Sequence, residues 1–114
     1  MPTTSTIPPA EAIDLNNLLA AATGGIASQV LAKNSGGSLT LFAFAAGEGL
    51  TEHTTPFDAL VLTLEGTLTL TIGGKAVSAA PGTIVLLPAA VPHAVDATVA
   101  SRMLLIMLRE PKAG

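Results

Sequence analysis

The sequence predicts an all-β sandwich or barrel with a short helix or turn in front of it. Three observations carry that expectation. Apolar residues recur at every second position from residue 27 onward. Turn residues interrupt this pattern about every eight to twelve positions, as short strands require. Hydrophobic residues make up 49% of the 114-residue chain and charged residues 11%, enough to bury one core without disulfides or other staples. A single domain is expected: an arm and short helix over 1–24, a barrel over 25–109 and a tail over 110–114.

The elements follow in order. Residues 1–10 are rich in Pro, Thr and Ser and read as an extended arm. Ile13, Leu15, Leu18 and Leu19 have the spacing of a short helix or turn, which Gly24-Gly25 ends. ASQVLAK (27–33) and SLTLFAFAA (38–46) read as strands around the turn NSGG. GEGLTEHTTP (47–56) reads as a loop. DALVLTLE (58–65) and TLTLTI (67–72) are strands on either side of Glu65-Gly66. Gly73-Gly74 fits a two-residue hairpin turn leading to KAVSAA (75–80). Pro81-Gly82 leads to TIVLLP (83–88), and a loop bounded by Pro88 and Pro92 leads to HAVDATV (93–99). RMLLIMLR (102–109) is the last strand.

Several of these strands are apolar on both faces. Leu60, Leu62 and Leu64 alternate with Val61 and Thr63, and Leu104 and Ile106 alternate with Met103, Leu105 and Met107. A sheet wetted on one side would be polar at every second position. One face therefore packs inside the barrel, and the other is expected to be covered by a second copy, giving a homodimer. Met103 and Met107 read as core filling or as an adaptable pocket wall.

Composition excludes several functions. The net charge is −3, and the five basic residues are scattered, so no patch suits nucleic acid or an anionic membrane. No apolar run reaches the roughly 18 residues needed to span a bilayer. The N-terminus has no basic start followed by an apolar stretch, so a cytoplasmic protein is expected. Cysteine and tyrosine are absent. No serine sits in a nucleophile elbow, and no glycine-rich loop precedes a helix for phosphate. General acid–base work would fall to His53 and His93, the two histidines of the chain.

The surroundings of those histidines carry two motifs. Gly47 is followed by five residues and His53, then one residue and Thr55, three and Ala59, six and Gly66. Fifteen residues later, Gly82 is followed by five residues and Pro88, one and Ala90, two and His93, three and Ala97. In this order and spacing the chain resembles the cupins over roughly residues 28–108. Their first motif has a second histidine where Thr55 stands and a glutamate where Ala59 stands. Their second has glycine at Ala90 and asparagine at Ala97.

The resemblance implies a double-stranded β-helix, the jelly-roll-like cupin barrel, and commonly a dimer. It also implies a divalent metal site, of which only His53 and His93 carry over. Imidazole suits Fe, Zn, Cu or Ni, and the ion expected is Zn, Fe, Ni or Mn, but two imidazoles alone should hold it weakly. Asp58 is the nearest spare carboxylate. It precedes the expected glutamate position by one, so strand parity points it to the opposite face unless the strand bulges or starts after it. Left out of a metal site, Asp58 would bond backbone amides in a turn. His53, His93 and Thr55 are the expected polar anchors for a small molecule. Three functions remain open: a small-molecule-binding barrel with a weak metal, a metal-dependent dioxygenase-like or isomerase-like enzyme with a reduced ligand set, and a non-catalytic structural or regulatory dimer. The ligand and any catalytic residue are left unassigned.

Overall fold

A computed structural model describes residues 2–19 and 24–109. Two antiparallel sheets face each other in a jelly-roll barrel. The larger contains β1 (Thr4–Ser5), β2 (Ile26–Asn34), β3 (Gly37–Phe44), β5 (Asp58–Glu65), β8 (Ile84–Leu87) and β10 (Ser101–Leu108), in the order β1-β2-β3-β10-β5-β8. The smaller contains β4 (Gly49–His53), β6 (Leu68–Ile72), β7 (Lys75–Ala79) and β9 (His93–Ala97), in the order β4-β9-β6-β7.

Strand alternation sets the core. Along β5, Ala59, Val61 and Thr63 are buried while Leu60, Leu62 and Leu64 are only half-buried. The buried set meets Met107, Leu105 and Met103 of β10 in register. Across the barrel, Leu68 and Leu70 of β6 and Val95 and Ala97 of β9 face them. Phe44, Val61, Leu68, Leu70 and Met103 are fully buried, so side chains fill the barrel between its sheets. Met103 is core filling, and Met107 packs against the core from the open end.

The outer face of the large sheet is covered in part by the chain itself. Ile7, Leu15, Leu18 and Leu19 of the arm lie on Leu31, Leu41 and Leu104, with Leu39, Leu62 and Leu64 around them. Much of the cover expected from a second copy is thus supplied by the N-terminal segment. The helix α1 is a single turn, Leu15–Leu18, whose first amides are capped by Asp14, which accepts from the N–H of Asn16. The helix stops before the Gly24-Gly25 pair expected to end it, because Leu19 is already extended at φ −149° and ψ 110°.

One strand differs from expectation. Gly49–His53 was expected in a loop, but it forms β4 at the edge of the small sheet and pairs with β9. Its residues are half-buried or exposed, so no apolar alternation marks it in the sequence. At the other end of β5, Gly66 has φ +75°, and a Cβ there would strike Ser101 Oγ and the Ala100 carbonyl. Only glycine satisfies both demands.

Candidate functional site

β4 ends at His53 and β9 begins at His93, and the two are direct cross-strand partners. Neighbours in register put their side chains on one face. A register irregularity between Leu50 and His53 lets the end of β4 lean across. His93 shares the inward parity of Val95 and Ala97 and is buried, while His53 is exposed at the rim. The hydrogen bond from Gly73 N–H to the Pro92 carbonyl, 2.8 Å, holds the loop before His93.

The ring nitrogens define the chemistry. His53 Nδ1 lies 2.9 Å from the Thr51 carbonyl, and His93 Nδ1 lies 3.3 Å from the Val91 carbonyl. A carbonyl only accepts, so each Nδ1 carries the proton and donates it. In that tautomer a ring without a second proton has a bare Nε2. The two Nε2 atoms face each other at 3.1 Å, with the ring planes 70° apart. Two lone pairs at that distance repel unless a cation lies between or beside them, either a shared proton or a metal ion. Burial lowers the pKa of His93 from its ordinary 6.5; the nearby His53 adds to this and the bond to Val91 opposes it. His93 is therefore neutral at pH 7, the form that binds a metal.

The other candidate residues do not join the pair. Thr55 donates its hydroxyl to the Phe57 carbonyl at 2.9 Å, and its own carbonyl accepts from Ala90 N–H at 2.8 Å. It shapes the mouth and holds two loops together. Asp58 is exposed, on the opposite side of β5 from buried Ala59, as parity requires. Its carboxylate accepts from Ala89 N–H at 2.8 Å. Among the described residues no third His, Cys, Asp or Glu completes a metal-binding group. Ala90 has φ +64°, in the left-handed region that favours glycine.

A family model for the cupin domain matches residues 40–108. The chain belongs to the cupin family. It is similar along almost its whole length to a conserved protein of unknown function from Streptococcus pyogenes, at 29% identity, TM-score 0.90, and 99% and 98% coverage of the two chains. A cupin superfamily protein from Desulfitobacterium hafniense is similar at 28% identity, TM-score 0.84, and 91% and 95% coverage. A cupin conserved barrel domain protein from Leptotrichia buccalis is similar at 34% identity and TM-score 0.81 over 85% of this chain and 47% of that one. The comparison with curated proteins returned no match.

Seen as a cupin, the chain departs from the family's metal set at Thr55 and Ala59. The residues present fit an open, two-imidazole site and not a four-ligand cage. Two bare Nε2 atoms 3.1 Å apart match neighbouring ligands of one ion with bonds of about 2.0–2.1 Å. Sequence reasoning missed two arginines. Arg102 is buried against the arm, and Arg109 stacks over Phe57 beside the mouth. Neither lies in a motif, and the groups they meet are far away in sequence.

Proposed function

We propose that this cupin barrel binds a small molecule at its mouth, through a divalent transition-metal ion held weakly by His53 and His93. The observation that carries the reading is the pair of bare Nε2 atoms, each fixed in its tautomer by a backbone carbonyl. Backbone-anchored Nδ1–H groups are what orient histidine ligands in metal sites. With two protein donors, the ion's other positions go to water or to the oxygens of a ligand, which the ion would polarise as a Lewis acid. The filled barrel keeps a ligand at the mouth, where His53 is exposed.

Zinc or nickel titration of protein first stripped with chelator tests this. The expected result is saturable binding of one ion per chain, with a raised Tm, lost in both His53→Ala and His93→Ala. Binding that is absent in the native chain, or that survives both substitutions, would sink the reading.

A further inference from the structure

We infer that Arg109 forms a second ligand site beside the mouth, a recess that takes a small monocarboxylate with an apolar body. The recess has a volume of about 390 Å³ and is lined by Pro56, Phe57, Asp58, Ala89, Leu108 and Arg109. That size is within the range of small-molecule sites. It opens between the β4–β5 and β8–β9 loops, at the same end of the barrel as the histidines, and neither imidazole lines it.

The guanidinium of Arg109 is positioned but not matched. Its backbone N–H is fixed on the Gly36 carbonyl at 2.9 Å, and its central carbon lies 5.3 Å from the centre of the Phe57 ring. Stacking of this kind holds the plane of the fork and leaves its edges free to donate. The Nε–H is buried and has no acceptor among the described residues. No carboxylate among them lies within 4.0 Å of the group. A planar oxyanion is the partner that a guanidinium fork pairs with through two parallel hydrogen bonds.

The walls choose the class of anion. Pro56, Phe57 and Leu108 offer apolar surface, and Leu108 is exposed. Among the described lining residues Arg109 is the one cation, and the Asp58 carboxylate is part of the same wall. A dianion such as phosphate would be repelled by Asp58 more than a monoanion would. A carboxylate on a flat or aliphatic body satisfies both the fork and the walls.

Benzoate titrated into the full chain, with amide chemical shifts as the readout, tests this. Saturable shifts are expected at Phe57, Ala89 and Arg109, equal with and without added zinc. They should weaken about tenfold or more in Arg109→Gln and in the charge-conserving Arg109→Lys, since the forked pair is lost. Benzamide should not bind. Glu110 follows Arg109 in the sequence, and Glu110→Gln should bind benzoate as tightly as the native chain or more tightly. The idea is overturned if benzoate binds neither the native chain nor Glu110→Gln, or if folded Arg109→Gln and Arg109→Lys bind it unchanged. Zinc independence separates this outcome from the failure of the histidine site.

Discussion

Arg102 and Arg109 stand at opposite ends of β10, and the chain treats them in opposite ways. Arg102 is 7% exposed and fully engaged. It donates to Glu65 at 2.6 Å, to Asn16 Oδ1 at 2.7 Å and to the carbonyls of Leu15, Asn16 and Leu19 at 3.2–3.4 Å. Those carbonyls belong to the single-turn helix and the residue after it, so one side chain clasps the arm to the barrel. Arg109 stacks on Phe57, and its Nε–H has no acceptor among the described residues. The lesson extends to both ends of the barrel. Around Arg102 and Gly66 the polar groups serve the fold. Around His53, His93 and Arg109, polar groups of the described residues keep bonding capacity to spare, which is where ligand chemistry belongs.

The largest effect is expected at the clasp. Arg102→Met keeps the aliphatic stem but leaves Glu65 and three carbonyls without their donor. Breaking a buried pair costs about 3–5 kcal/mol, and because the Glu65 side chain is 49% exposed we expect about 2–3 kcal/mol in urea unfolding. Glu65→Gln should lose less than half of that. An Arg102→Met protein as stable as the parent would show that the arm is held by its leucines alone.

The opposite sign is expected at the mouth. Ala90 is exposed, yet it adopts φ +64° where cupins carry glycine. An L-residue in that region costs about 1–2 kcal/mol, offset in part by the greater freedom of glycine in the unfolded chain. Ala90→Gly should therefore stabilise by roughly 0.5–1 kcal/mol in the same assay. A destabilised variant would mean that the mouth is not strained.

How much of this was legible follows from the range of the interactions. The strands of the core were readable because alternation is a local signal. β4 was not, since its pairing with β9 is long-range and its exposed side chains leave no pattern. His53 and His93 were legible together only through the motif spacing, forty positions apart. The outward turn of Asp58 followed from strand parity. Arg102 was invisible because its acceptors lie 37 to 87 positions away. Glu65, which stands beside Gly66 at the end of β5, is one of them. The arm's cover over the large sheet was hidden for the same reason.

The histidine pair supplies a pH test of the contrast. Because burial lowers the pKa of folded His93, the unfolded chain binds its proton at higher pH. Stability is therefore intact above the ordinary value of 6.5 and falls as pH drops from there through the lower folded value. Unfolding midpoints between pH 7.5 and 5 should show that fall in the native chain and a flatter profile in His93→Gln. Identical profiles would mean that His93 is as easily protonated in the fold as outside it.

The smallest effect on stability, and the most direct test of what covers the large sheet, is expected at its open edge. The arm lies over β3, β10 and the inner part of β5, but β8 pairs only with β5. The outward residues of β8, Ile84 and Leu86, are 57% and 53% exposed and stand beside Leu62 and Leu60. An uncharged apolar stripe on an edge strand is complementary to itself under a two-fold axis, so a second copy of this chain is the expected cover. Leu86→Lys places on that edge the residue that natural sheets use to keep edges apart. Little packing is lost at so exposed a position, and the unfolding midpoint should move by no more than about 0.5 kcal/mol. Light scattering after gel filtration should show a dimer for the native chain and a monomer for the variant. A native chain that is monomeric at tens of micromolar would mean that the arm is cover enough and that the stripe on β8 meets only water.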